Sequence, residues 1–477
     1  MKPPRSRCTT LYLALALSGT LLAHLAQAQD DIDPALRRVS PTQLLTRPAD
    51  VPAREPAAAR NSGQNRIDLP EAVAQAVRWH PSIAQAIGVL YQQGEGINLA
   101  EAGYYPQVSG GVKAGVQNGN NGQQGSQALS LSLKQMLYDF GKVRGAVDTA
   151  KARAALAQAG VLLAVDQVAR DTAYAFIETE RYDRLVDIAR EQVSGVGAIV
   201  ELARQRAELG ASTRSDVVQA QSRVDGARAS LQEYKAQAAR WQSTLANLLG
   251  RSYSPALSDA RNRLLDGACT AASGTGDTQP GVLQALAQRT QARAELSQAK
   301  AQAYPTLSLE PSINHYLDND YDRNNPALER TQTGLYLNLE VPIYQGGATS
   351  ARTRAAAHAL VAADSAEDAA RLQARQGLTE AQAQTAGLGL RLQALAARQA
   401  SIREARELYE RQYIDLGTRP LLDLLNAEQE IHQAHFDLAG TLADQQRLAV
   451  DCLYNSGALR RVMGLEGQAV QGVEILP

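Results

Sequence analysis

From Thr331 to Val341 the chain alternates. Leu335, Leu337, Leu339 and Val341 are apolar, and Tyr336, Asn338 and Glu340 between them are polar. A period of two places the two sets on opposite faces of a β-strand. Tyr304-Pro305 opens a companion run ending near Tyr316, and a polar loop joins the two. Each run has about 10–12 residues, the length a tilted strand needs to cross a bilayer core. A near-copy lies about 200 residues earlier, where Tyr105-Pro106 opens a run to about Gln117, Asn118–Gly125 reads as a loop and Ser126–Leu137 returns. There Leu129, Leu131 and Leu133 oppose Ser130, Ser132 and Lys134. Two β-hairpins are therefore predicted, at about 105–138 and about 304–344.

Everything around the hairpins has helical spacing. A helix is predicted from Leu69, pausing at His80-Pro81 and resuming to Gly103. Another runs from Lys142 to Glu208, with Leu162, Val165, Ala169, Thr172, Ala173 and Phe176 forming a stripe at three-and-four spacing. At 1.5 Å per residue such a helix reaches roughly 100 Å. At Leu209-Gly210-Ala211-Ser212 glycine stops one helix, Ser212 or Thr213 can cap the next, and the chain returns to Gly250. A second set follows: Val282–Ala303, the second hairpin, Ala348 to Leu416, a turn, and Leu421–Tyr454. Gly210 and Gly417, Asp216 and Asp423, Gln219 and Asn426, and Gly250 and Gly457 each stand 207 residues apart. The chain is one body built twice. The first repeat covers 67–250 with its helical tip near 210, 251–280 reads as a linker, and the second repeat covers 281–457 with its tip near 417. Residues 458–477 read as a tail.

Lys2, Arg5 and Arg7 precede an apolar run from about Leu11 to Leu25 that ends in Ala26-Gln27-Ala28, the pattern of a secretory signal over residues 1–28. Residues 29–66, with Pro34, Pro41, Pro48, Pro52 and Pro56 and no apolar period, read as a flexible leader. No later stretch offers the ~18 apolar residues of a membrane helix, so any crossing falls to strands. Four strands cannot close on themselves in lipid, where open edges are not tolerated and the smallest barrels have about eight. Association of two, three or four chains would supply the rest. Tyr104, Tyr105, Tyr138, Tyr304 and Tyr344 fall where strands meet helices, the place of an interfacial aromatic girdle.

A net charge of −1 gives no electrostatic case for nucleic acid. Aromatic residues are only 5 %, which suits alanine-rich helices packed closely. Cys8 leaves with the signal, and no cysteine stands at the cleavage site to carry a lipid. Cys269 and Cys452 remain, in an oxidising compartment; they can bond or stand as two small apolar residues, and spacing leaves both open. The loop Asp318-Asn319-Asp320-Tyr321-Asp322-Arg323-Asn324 ending at Glu329 mimics a calcium loop, but Arg323 holds the glycine position, so a solvated loop is expected. His432 and His435 are three apart, and His435 shares a stripe with Ile431, Leu438 and Leu442, which favours packing or solvent over a metal. No catalytic motif, cofactor site or metal site is expected.

On several motifs taken together the sequence resembles the TolC-like outer-membrane efflux and secretion channels, over roughly residues 67–457. They are the two Tyr-Pro strand openings, Tyr344-Gln345-Gly346-Gly347, His80-Pro81-Ser82-Ile83, and the run from Leu416-Gly417-Thr418-Arg419-Pro420 to Asn426. The resemblance implies a mainly α fold with a small β part: long helical hairpins forming a periplasmic α-barrel, and four strands per chain contributing to a trimeric twelve-strand barrel. It implies an outer-membrane location, a periplasmic adaptor, an inner-membrane transporter and no enzymatic activity. It also places Arg419 and Asp423 at a periplasmic mouth. Asn426 stands where the family carries a second acid, Asp216 is the first-repeat counterpart of Asp423, and Tyr413 lies one place off the family's gating tyrosine. Type I protein secretion is favoured, with small-molecule efflux as the alternative cargo. A soluble periplasmic coiled-coil scaffold is the competing class; it would explain the helices and leave the hairpins unexplained.

Overall fold

A computed structural model describes residues 66–119, 122–258, 263–272, 277–317 and 329–475. The expected signal, the leader up to residue 65 and most of the acidic loop after Leu317 lie outside these residues.

Local chemistry sets the element boundaries. Helix α1 spans Leu69–Trp79, its start capped by Asp68, which accepts from the Glu71 amide at 2.9 Å. His80 ends α1 and caps α2, Pro81–Glu101, by accepting from the Ser82 amide, while Pro81 occupies a first-turn position that needs no donor. The pause at His80-Pro81 is thus a helix end and a helix start sharing one residue. Strands β1 (Gln107–Gly119) and β2 (Gly122–Tyr138) follow, then α3 (Lys142–Glu208) and α4 (Arg214–Leu248). The second set comprises α5 (Ala268–Ala271), α6 (Pro280–Ala301), β3 (Thr306–Tyr316), β4 (Thr331–Glu340), α7 (Ala348–Arg411) and α8 (Leu421–Ser456). A short α9 (Leu459–Val462) and a two-residue ribbon, β5 (Ala469–Val470) with β6 (Val473–Glu474), complete the described chain.

The four long strands form one antiparallel sheet in the order β1-β2-β3-β4. The expected loop at Asn118–Gly125 is mostly strand, since Asn118 pairs with Gln123 and Gly119 with Gly122. Its Gly/Gln/Asn composition reads as a turn, but the ladder either side carries the pairing through it, as cross-strand context often does.

The largest core joins α1, α2, α3, the end of α4 and the end of α8. All six residues of the predicted stripe on α3, from Leu162 to Phe176, are buried. Two segments read as connectors belong to this body instead. In the linker, Ile67 bridges to Leu257, and Leu265, Ala268 and Cys269 are buried. In the tail, Leu459, Met463, Leu465, Val470, Val473 and Ile475 are buried. Neither stretch is long enough to show a period, so only the surface it covers reveals its role. Cys269 and Cys452 form a disulfide, with Cα atoms 5.1 Å apart, that fastens α5 to α8. Gln382 of α7 adds hydrogen bonds to the Cys269 and Ala272 carbonyls at 3.0 and 3.1 Å.

Between α3 and α8 runs a polar ladder. Arg460 lies just beyond α8 and meets Asp166 at 2.6 Å; Tyr174 bonds Asp451, Arg447 meets Glu178 at 3.2 Å, and Arg181 meets Asp444 at 3.2 Å. Numbers rise on α3 as they fall on α8, by three or four at most steps. The two helices are antiparallel neighbours held in one register. Asp166 and Arg460 are both fully enclosed. Burial pushes the Asp166 carboxyl up to about 6 despite the arginine beside it. Removing one partner of such a pair strands the other charge. Arg460→Ala is therefore expected to cost about 3–5 kcal/mol, read from denaturant unfolding of the detergent-solubilised protein. Asp166→Leu combined with Arg460→Met should cost less than Arg460→Ala alone.

Candidate functional site

The sheet presents two unlike faces. Val108, Val112, Leu129, Leu131, Leu335, Leu337 and Leu339 share one of them, and all are exposed, Leu335 at 69 %. Each such side chain gives up about 1.5–3 kcal/mol by staying in water, so a continuous strip of them is a lipid-facing or partner-facing surface. On the other face Ser109 and Ser132 hydrogen-bond at 2.7 Å and Lys134 pairs with Glu310 at 3.1 Å. Glu310 also accepts from Ser308 and Asn338. Strands β1 and β4 are the sheet's edges, their outer sides unpaired among the described residues.

At the junctions with the helices, Tyr104, Tyr105, Tyr138, Tyr304 and Tyr344 are all exposed. Sequence reasoning missed their companion, Phe140. Asp139 accepts from the Gly141 amide at 2.9 Å and the Val143 amide at 2.5 Å, which starts α3. That turn forces Phe140 to φ 56 and swings its ring outward. The ring then lies between Tyr138, at 4.7 Å between centroids, and Tyr304, at 5.6 Å. Gly346 takes the equivalent left-handed place in the second repeat, φ 60, without a ring. A phenylalanine between aspartate and glycine at a strand exit was the available signal.

The far ends of the hairpins form a second site. In the first repeat Gly210 turns at φ 74, and Thr213 with Asp216 forms a reciprocal cap for α4. The Asp216 carboxylate accepts from the Thr213 amide at 3.0 Å and the Ser212 hydroxyl at 2.9 Å. The Thr213 amide in particular holds it below the usual carboxylate range. A depressed acid stabilises the fold above its unfolded value and loses that effect as pH falls through the folded one, so this cap opens only in acid. Asp216 is committed to its own helix.

In the second repeat α7 does not continue as an α-helix to Leu416 as expected. The five residues after it, Gln412–Leu416, wind as a π-turn, and Gly417 at φ 61 closes it. Such turns widen the spacing and shift the helical phase. Arg419 reaches back across the gap. Its Nε donates to Gln412 at 2.9 Å, its Nη1 pairs with Asp423 at 2.8 Å, and its guanidinium lies 4.4 Å from the Tyr409 ring centre. Arg419 and Asp423, which the resemblance places at the mouth, are thus brought together. Asn426 is not joined to them; Arg223 of α4 reaches it at 3.5 Å and Gln429 at 2.7 Å.

Tyr413 is buried, away from the exposed tip, under Arg206 of α3, which donates to the Tyr413 carbonyl at 2.8 Å. The two positions are equivalent in the repeat, 207 residues apart. Beneath them Val196, Ile199, Val200 and Ala203 of α3 pack with Leu421, Leu424 and Leu425 of α8. His432 is buried against Glu428 at 3.1 Å, and burial lowers the half-buried His435. Among the described residues no three metal-ligating side chains converge, and no helix is long and apolar enough to cross a membrane.

With this geometry in hand, comparison with known proteins is specific. The family model described as outer membrane efflux protein matches residues 72–251 and 277–455. Outer membrane protein TolC of Vibrio cholerae serotype O1 is 25 % identical over 366 residues, covering 73 % of this chain and 81 % of the relative. Outer membrane efflux protein BepC of Brucella suis is 23 % identical over 349 residues, covering 71 % and 74 %. The crystal structure of outer membrane protein VceC from Vibrio cholerae superimposes with a TM-score of 0.70 at 18 % identity, over 82 % of this chain and 96 % of that one. A soluble scaffold is overturned by these matches, and it would leave the exposed leucine strip uncovered.

The Tyr413 hydroxyl is buried without a partner, so Tyr413→Phe is expected to be neutral or to stabilise by up to about 1 kcal/mol. Arg206→Ala, which strands the Tyr413 carbonyl, should lower the thermal midpoint measured by circular dichroism.

Proposed function

This chain belongs to the outer membrane efflux protein family, and on that premise we propose that it is the passive exit duct of a type I protein-secretion machine, gated at its periplasmic end. As a member it is an outer-membrane channel subunit of tripartite export systems with a long helical periplasmic extension, and not an enzyme. The observation that carries the proposal is the open four-stranded sheet, apolar on one face and polar on the other, with both edges unpaired among the described residues. In lipid those edges need partners of the same kind. Three copies would close a twelve-strand barrel, leucines outward and the Lys134–Glu310 face lining the lumen. Helices α3, α4, α7 and α8 of the three copies would continue it as a periplasmic tunnel. A periplasmic adaptor and an inner-membrane transporter would dock at that tunnel and supply the energy.

At the tunnel mouth we assign Arg419 and Asp423 to the closed state. The arginine holds the second-repeat turn folded back on Gln412 and Tyr409, and threefold symmetry would gather three Asp423 carboxylates at one constriction. Such a ring favours cations. An ordinary role for Asp423, an acid near a helix N-terminus, is worth only ~0.3–1 kcal/mol and would leave conduction unchanged. Favouring protein cargo is Gln29, which follows the expected cleavage site at Ala28 where lipid-anchored drug-efflux ducts of this architecture carry a cysteine.

Replacing Arg419 or Asp423 with alanine is expected to raise single-channel conductance in planar bilayers. Unchanged conductance in both variants would remove the mouth assignment. Deleting the protein should deplete secreted proteins from the medium more than it sensitises cells to drugs, and the opposite pattern would favour small-molecule efflux.

A further inference from the structure

One buried acid has no part in the mouth described above. Glu428 on α8 is 4 % exposed and is held from three helices. Arg406 of α7 donates to its Oε2 at 2.9 Å, and His432, one turn along α8, meets its Oε1 at 3.1 Å. The third contact is a vacancy in α3: Gly195 presents no side chain, and the carboxylate sits where one would be. A Cβ built on Gly195 would overlap Glu428 Oε1 and come within 3.6 Å of His432 Nε2. Burial alone would raise this carboxyl, but His432 and Arg406 together outweigh it and keep the group below its usual range.

The surroundings give this fit its meaning. Contacts between α3 and α8 nearer the tip are Val, Ile, Leu and Ala, and apolar contact is non-directional, so it resists separation but not sliding or rotation. A charged group seated in a notch with directed bonds resists both. Glu428 lies five residues from Asp423, about 7.5 Å along the helix, so the seat fixes the height and rotation at which α8 presents Asp423.

We propose that Glu428 is a positioning residue of the gate: seated on Gly195 and tied to Arg406, it pins α8 and α7 to α3 so that Asp423 stands at the aperture. The proposal rests on the mouth reading for its consequence, while the seat itself does not depend on Arg419 or Asp423. Opening requires the carboxylate to leave its notch.

The test compares single-channel conductance and open probability of Glu428→Ala, Gly195→Ala and the double variant with those of Glu428→Gln, all checked for heat-stable assembly. Breaking a buried charge pair is large beside a tenfold population shift, so Glu428→Ala and Gly195→Ala should each raise open probability about tenfold or more. The double variant should match either single one, because both break one contact. Glu428→Gln keeps the shape and, with a change of His432 tautomer, both hydrogen bonds; it should stay near the parent. Should Glu428→Ala fail to assemble, Glu428→Asp, one methylene too short for the notch, must show the same rise. Parent-like gating in Glu428→Ala or Glu428→Asp, with Arg419→Ala or Asp423→Ala still raising conductance, overturns the pin and leaves the mouth reading intact. A multiplied effect in the double variant also overturns it. A rise in the Glu428 variants with none at Arg419 or Asp423 supports the pin and removes the mouth assignment.

Discussion

Hydrocarbon offers a peptide group no hydrogen-bonding partner, and much of this molecule follows from that. A strand in the bilayer must give every amide and carbonyl to another strand. Among the described residues there are four such strands and two open edges. The demand for closure turns a single polypeptide into a fraction of a tube, and the period-two leucines then have lipid on one side and a polar lumen on the other. Outside the bilayer the constraint is relaxed, since water serves the helix surfaces, and the chain becomes almost wholly helical.

Long helices raise a different problem, because neighbours that meet over many turns can slip. Small residues let the backbones approach closely, but smooth apolar contact does not choose a register. The Asp166–Arg460, Glu178–Arg447 and Arg181–Asp444 pairs supply one. Asp166, Arg460 and Glu178 are buried, while Arg447 and Asp444 stay partly exposed. A buried charge is costly to strand, so the enclosed members of the ladder penalise a shifted register. At the tips the same function passes to Arg206, which serves the carbonyl of the π-turn, and to Glu428 in its glycine notch.

Much was legible before any coordinates. The alternation Leu335-Leu337-Leu339, its echo at Leu129-Leu131-Leu133 and the 207-residue offset between Gly210 and Gly417 follow from strand period, helix period and glycine's tolerance of positive φ. Those are local rules, written in consecutive residues. What escaped was non-local. The linker around Leu265 and the tail from Leu459 to Ile475 carry no period because they are short; what fixes them is the core surface they cover. The π-turn at Gln412–Leu416 has no composition signature.

The candidate site divides the same way. Arg419 and Asp423 are four apart in sequence, and a helix start brings such residues together without help from the rest of the fold. Asp216 is equally local, and its cap partners Ser212 and Thr213 could be read directly. The Glu428 seat could not, because Arg406, Gly195 and His432 lie on three helices and the decisive feature is an absent side chain. By itself the sequence determined which segments are strands or helices, that they occur twice, and which faces are apolar, since each depends on the spacing of neighbours along one chain. Only the tertiary structure decided which charge meets which, because helix register is set by the shapes of surfaces that sequence distance does not bring together.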